Sequence, residues 1–244
     1  MKKVRILSVI LALVLMLSAL VACTAEQNGN TPTTENNASN GSDRDPNAGA
    51  CDMAAVQAEI DSMRVGDFTE TAAVTEYVKF SVKDYGSFVI RLRKDIAPIT
   101  VENFQSLVSR GFYDGLTFHR VMKGFMIQGG DPKGDGTGGS GTSIKGEYFA
   151  NGIRNDLSHV MGVISMARRG DPYFDSATSQ FFICNADASR SLDRKYAGFG
   201  YVVAGLEVVL MVSDAEVTYN AYGTERSVPV EKIIIEKVSF VEKK

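Results

Sequence analysis

Few side chains in this sequence have the types and grouping that bond-making chemistry requires. The only histidines are His119 and His159, and the cysteines are Cys23, Cys51 and Cys184. That leaves little material for a metal site, because zinc alone asks for several convergent nitrogen and sulfur ligands; no metal and no cofactor are expected. Three cysteines are also too few for a disulfide framework. A glycine-rich run, Gly134 to Gly141, invites a phosphate-cradle reading, yet no Gly-Lys-Ser/Thr follows it. A tight-turn loop is the better account. Without a motif to place them, an arginine such as Arg120 reads as a surface ion-pair partner, and Phe125, Met126 and Phe182 read as plain core.

The elements that must position these residues are legible from patterning. The chain has 244 residues, 44% apolar and 23% charged, enough for one or two domains with a sizeable core. Its net charge of −3 and lack of a basic stripe argue against a nucleic-acid partner. Val78, Phe80 and Val82 alternate with Tyr77, Lys79 and Ser81; a turn at Asp84-Tyr85-Gly86-Ser87 leads into Phe88 to Leu92. That is a β-hairpin. Thr100 is a plausible N-cap for a helix with Glu102 in its first turn, an apolar stripe of Val101, Phe104, Leu107 and Val108, and a stop at Gly111. Short strands and glycine-rich turns fill Tyr113 to Gly200. A second helix is expected over Leu206 to Val212 and a last strand within Lys232 to Val241. Mostly β with two helices points to a barrel or sandwich.

The N-terminus has a different character. Lys2, Lys3 and Arg5 precede an apolar run from Ile6 to Ala22, the layout of an export signal. It ends in Leu20-Val21-Ala22-Cys23, which resembles the lipobox of bacterial lipoproteins. By that resemblance residues 1–22 are a leader that is removed, Cys23 becomes a lipidated N-terminus, and the protein sits on the extracytoplasmic face of a cell membrane. The alternative is an uncleaved membrane-spanning helix. Residues 23–50 are dominated by Asn, Thr, Ser, Gly, Asp, Glu and Pro, too polar to offset the entropy of ordering, and are expected to be a flexible tether. Within residues 51–74, Met53, Val56, Ile60 and Met63 share one helical face. This segment reads as a short helix lying on the domain that occupies residues 75–244. Cys51 has no obvious partner and is expected to be a free thiol.

Motif blocks take the reading further. Phe118-His119-Arg120 leading through Phe125-Met126-Ile127-Gln128-Gly129-Gly130-Asp131 closely resembles the cyclophilin signature. Ser165-Met166-Ala167, Ser179-Gln180-Phe181-Phe182-Ile183-Cys184, and Leu192-Asp193-Arg194 through Phe199-Gly200 are similar to later blocks of the same family. Ala97 to Phe104 and Gly111 to Gly115 match its first helix and the following turn. The resemblance runs in order from about Thr75 to Val241. It implies a closed eight-stranded β-barrel capped by two α-helices, with a substrate groove on the outer face.

It also implies a chemistry: peptidyl-prolyl cis-trans isomerisation. Rotating an Xaa-Pro bond means breaking amide resonance, a barrier of roughly 18–20 kcal/mol. No bond is made or cut, so the site must favour the twisted amide over both planar forms. The resemblance gives Arg120 the role of a fixed guanidinium donating to the twisting amide. Phe125, Met126, Phe182 and Leu192 would hold the proline ring, and Gln128 would bond the substrate backbone and steady the arginine. Ala167, Arg168, Gly136 and Gln180 match further groove positions. Tyr196 would donate to the substrate carbonyl. His119 and His159 are expected to be structural, hydrogen-bonded core histidines, and Cys184 a buried, inert thiol.

Two departures from the family matter. Ser191 stands where many eukaryotic members carry a tryptophan that contributes to cyclosporin binding, so weak inhibition is expected. Arg168 and Arg169 replace a small uncharged pair and imply a basic groove rim that favours acidic residues near the proline. The expected clients are proline-containing polypeptides exported across the membrane, and a monomer is the expected state. A competing reading is a binding module that grips one proline loop and turns it little. The complete set of Arg120, Phe125, Gln128 and Phe182 weighs against it.

Overall fold

The computed structural model describes residues 50–244. The expected leader (1–22), the expected lipidation site Cys23 and all but the last residue of the expected tether (23–50) lie outside the described residues.

Asp52 opens the first helix, α1 (Met53–Glu59), by accepting from the amides of Ala54 and Ala55. Val56 is buried, with Met53, Ile60 and Met63 packed around it. Beyond the helix the backbone bonds to the domain: Asp61 and Met63 donate to the carbonyls of Val202 and Val203. β1 (Phe68–Glu70) then pairs antiparallel with the strand at Ile233–Lys243, Phe68 opposite Lys243. Residues expected to precede the domain are thus tied into its sheet. With only three residues, β1 is too short to show alternation.

β2 (Tyr77–Val82) turns back into β3 (Gly86–Leu92) with Tyr77 facing Arg91 and Val82 facing Gly86. α2 (Pro98–Ser109) starts about one turn before the expected Thr100 cap, and Glu102 falls outside its first turn. Pro98 suits that start, since the first amides of a helix have no internal partner. The orphan amides are met from elsewhere. Glu147, only 2% exposed, accepts from Ile99 N at 3.1 Å and from Thr100 N and Oγ1 at 2.8 and 2.7 Å. Its charge also suits the positive end of the helix dipole. Val101, Phe104, Leu107 and Val108 form the buried stripe.

β4 (Thr117–Phe118) and β5 (Arg120–Met122) are separated by His119 alone. β6 (Met126–Gly129), β7 (Val163–Met166) and β8 (Phe181–Cys184) follow. After them come the one-turn helix α3 (Ser189–Leu192), β9 (Ala197–Ala204) and the helix α4 (Leu206–Ser213). A hairpin of β10 (Val217–Tyr219) and β11 (Arg226–Pro229) precedes β12 (Ile233–Lys243). The hairpin strands pair only with each other. The rest form one antiparallel sheet in the order β1, β12, β2, β3, β9, β7, β8, β6, β5, and β4 pairs with β12. The fold is mostly β with few helices, and α2 and α4 fall where the two helices were expected.

The sheet has two chemically different faces, because successive strand residues point opposite ways. On the inner face Phe181 sits among aromatic rings, with centroids 5.5 Å from Phe80 and Tyr113, 6.0 Å from Phe104 and 6.1 Å from Phe118. Val121, Ile127, Ile164 and Ile183 belong to this main core. On the outer face, Val89, Val163, Tyr201 and Val203 are covered by Val56 of α1 and by Phe68. Elsewhere on that face Met126, Phe182 and Cys184 form a separate cluster with Ala188 and Leu192. α1 and its neighbours cover one part of the outer face; the second cluster lines a cleft.

Candidate active site

Strand register builds the site. Arg120 is opposite Gln128 in the β5–β6 pair, Gln128 is opposite Phe182 in β6–β8, and Phe182 is opposite Ser165 in β8–β7. The four residues therefore lie in a row across the sheet, on the face turned away from the main core. Arg120 Nη1 donates to Gln128 Oε1 at 3.1 Å. Gln128 Nε2 donates to Gln180 Oε1 at 2.9 Å. Gln180 Nε2 in turn donates to the carbonyls of Gly136 and Gly138 at 3.0 and 2.7 Å. The two carbonyl acceptors fix which way the Gln180 amide points. That choice passes along the relay, so each amide oxygen faces the next donor.

The glycine-rich loop that supplies those carbonyls is organised by Asp131. Its buried carboxylate accepts from the amides of Lys133, Asp135 and Gly136 at 2.8, 3.2 and 2.6 Å. The loop packs so closely on this carboxylate that a Cβ at Gly138 would sit 2.0 Å from Asp131 Oδ1. The glycine is required there for close approach.

Beside the relay is a cleft of about 270 Å³ lined by Arg120, Phe125, Met126, Gln128, Ala167, Arg168, Phe182, Leu192 and Tyr196. A wider recess of about 550 Å³ shares Gln128, Ala167 and Arg168 with it and adds Gly136 and Gln180. Every groove residue singled out from the sequence thus lines one recess or the other. Phe182 forms the wall between two rings: Tyr196 stands edge-on to it at 5.6 Å, and His159 lies nearly parallel at 6.0 Å. His159 is held at both nitrogens, Nδ1 by Asp193 Oδ1 at 2.8 Å and Nε2 by Ser165 Oγ at 2.9 Å. Burial pushes the Asp193 carboxyl up, but hydrogen bonds from His159 and Ser158 outweigh it and hold the carboxyl below its ordinary range. Burial pushes the Cys184 thiol up to about 12, as suits an inert core residue. Among the described residues no cluster of His, Cys, Asp and Glu could hold a metal ion.

The cyclophilin-type peptidyl-prolyl cis-trans isomerase family model matches residues 77–240. The chain belongs to the cyclophilin family. It is 42% identical to peptidyl-prolyl cis-trans isomerase B of Bacillus subtilis over 57% of this chain and 91% of that one. Against a peptidyl-prolyl cis-trans isomerase of Acinetobacter baylyi it is 41% identical over 64% and 80% of the two chains. A crystal structure of a cyclophilin-type isomerase from Cryptosporidium parvum superposes with a TM-score of 0.60 at 28% identity, covering 69% of this chain and 98% of that one. The activity is that of a peptidyl-prolyl cis-trans isomerase.

Three details of this cyclophilin differ from expectation. The Arg168 side chain is only 4% exposed: its guanidinium pairs with Asp171 at 2.9 Å, donates to the carbonyls of Lys195 and Arg169, and lies 4.9 Å from the Tyr196 ring and 5.0 Å from the Tyr148 ring. It is a packing element of the wall, and only Arg169 leaves an exposed guanidinium, set over Tyr173. His119 is 8% exposed, but neither ring nitrogen reaches a partner with hydrogen-bond geometry. Burial pushes its imidazole below the ordinary value. Glu225, which no motif flags, holds the arginine: Nε and Nη2 of Arg120 each donate to its carboxylate at 2.7 Å. It sits in the loop between β10 and β11, where neither periodicity nor spacing distinguishes one acidic residue from another.

Proposed function

We propose that this isomerase acts on exported polypeptides from a lipid anchor on the outer face of a cell membrane, using the Arg120 row as its catalytic centre. One observation carries the site: a charged donor, Arg120, borders an apolar slot of Phe125, Met126, Phe182 and Leu192. The slot takes the proline ring, and the guanidinium donates to the amide as resonance is lost. Gln128 and the carbonyl-rich loop behind Gln180 hold the flanking backbone, so the rest of the chain turns against a fixed ring. The structure of the Cryptosporidium relative obtained in the presence of an Ala-Pro dipeptide supports this choice of ligand.

The barrel closes through the β4–β5 segment. Ile233 of β12 pairs with Phe118, and two residues further on Arg120 pairs with Gln128 of β6. Counting β4 and β5 as one strand, the circuit is β12, β4–β5, β6, β8, β7, β9, β3 and β2, eight strands in all.

The anchor rests on the basic start, the apolar run and Leu20-Val21-Ala22-Cys23. A doubly or triply acylated cysteine gives the stable attachment that one chain does not. Slow Xaa-Pro isomerisation limits folding on a scale of tens to hundreds of seconds, which makes a catalyst at the exit site useful. The decisive experiment measures cis-to-trans relaxation of an Ala-Pro peptide by wild type, Arg120→Ala and Phe125→Ala. Loss of acceleration in both variants supports the site; wild-type rates in either would remove that residue from it. Fatty-acid labelling in a bacterial host that disappears in Cys23→Ser tests the anchor, and equal labelling of the two would refute it.

A further inference from the structure

The arginine of this site is gripped from outside the family's groove residues, and its donors can be accounted for one by one. A guanidinium has five N–H groups. Two, on Nε and Nη2, go to the two oxygens of Glu225 at 2.7 Å each. One on Nη1 goes to Gln128 Oε1 at 3.1 Å. The remaining contacts, Nη1 to Met126 Sδ at 3.8 Å and Nη2 to Met122 Sδ at 3.1 Å, are to thioether sulfurs, which are weak acceptors. The strong acceptors hold the guanidinium from two sides, and the N–H groups left over face soft, easily displaced partners.

The holder is itself rigid. β11 lies against β5 without joining its ladder. Asn220 N donates to the Glu225 carbonyl at 2.8 Å, Gly223 N to the Asn220 carbonyl at 2.9 Å and Thr224 N to Asn220 Oδ1 at 3.0 Å. The loop therefore presents its carboxylate in one place. A planar fork gripped by a bidentate carboxylate has its plane fixed as well as its position.

We propose that Glu225 is a positioning residue for catalysis: it clamps one edge of the Arg120 guanidinium so that the weakly engaged N–H groups are aimed at the twisting prolyl amide. This rests on the role given to Arg120 above. Glu225 touches no substrate; it acts through the arginine, reducing the reorganisation needed when resonance is lost.

The test uses the full chain in detergent, with kcat and KM for a proline peptide measured separately. Glu225→Ala should lower kcat about tenfold and leave KM within about twofold, the pattern of an interaction that matters chiefly in the transition state. Glu225→Gln keeps an acceptor oxygen and should recover kcat to within about threefold of wild type. In an Arg120→Ala background, Glu225→Ala should produce no further loss. An unchanged or raised kcat in Glu225→Ala, or an equal loss in both backgrounds, would overturn the proposal while leaving the arginine's role intact. Wild-type turnover in Arg120→Ala alone would overturn both, and so separates the two failures.

Discussion

The His159 ring lies beneath that of Phe182, nearly parallel to it, with centroids 6.0 Å apart and 23° between planes. Neither nitrogen of the imidazole is free, so the ring cannot rotate without breaking a bond to Asp193 or Ser165. Phe182 inherits that immobility. His159→Ala should leave a cavity under the slot and orphan Ser165 Oγ. The expected cost is about 2–4 kcal/mol in urea unfolding, with a fall in kcat/KM from a loosened Phe182. A variant as stable and as active as wild type would show that the slot does not depend on this support.

Arg168 is a structural cation, so its removal should not act as a change of charge at the groove. Arg168→Ala should lower kcat/KM by a similar factor for peptides with acidic, neutral or basic residues next to proline, because Tyr196 and Tyr148 lose the group packed between them. Any preference for Asp or Glu should instead weaken in Arg169→Ala, whose guanidinium is exposed. A peptide panel in which Arg168→Ala selectively abolishes acidic preference would contradict this assignment.

The clamp on Arg120 has a pH signature. Hydrogen bonding to Arg120 lowers the Glu225 carboxyl from 4.5 to about 2. A group whose folded pKa is depressed stabilises the protein fully above its unfolded value and loses that contribution as pH falls through the folded one. The stability contributed by the clamp should therefore be complete from about pH 5 upward and be lost between about pH 4.5 and 2, while the clamp itself holds in the folded protein until pH nears about 2. Rate profiles should be flat with respect to this group between about pH 5 and 8. Stability measured from pH 5 down to 2 should fall more steeply in wild type than in Glu225→Gln, and parallel curves would rule the coupling out.

Ser191 lies in α3, where its hydroxyl donates to the Ala188 carbonyl at 3.0 Å. It offers nothing comparable to an indole N–H. Inhibition by cyclosporin should require more than micromolar concentrations, and Ser191→Trp should strengthen it by about tenfold, the scale of one hydrogen bond with its buried ring. Submicromolar inhibition of wild type would exclude this explanation.

What was readable in advance follows from the range of each interaction. Residues of the Phe118–Asp131 and Ser179–Cys184 blocks are placed by the family resemblance that these contiguous motifs carry. The stripe of α2 is equally local. Its start differs from the expected Thr100 cap because the capping carboxylate comes from Glu147, far from the helix in sequence, while Thr100 has the right type in nearly the right place. Glu225 was invisible for the same reason: it meets Arg120 across 105 residues. The buried state of Arg168 depends on three separate segments meeting around one guanidinium, which no window along the chain can contain.

β12 pairs with β1, β2 and β4, yet it follows all of them in the chain. β2 meets β3 as soon as that hairpin emerges, but β1 and β4 pair only with β12, so during translation both wait for residues 233–243, and the Glu225 clamp emerges only shortly before. Local pairs such as β2–β3 and β5–β6 can form as they emerge, but β1 and β4 stay unpaired until β12 is released. The sheet is therefore completed late, by the strand that follows all the others in the chain.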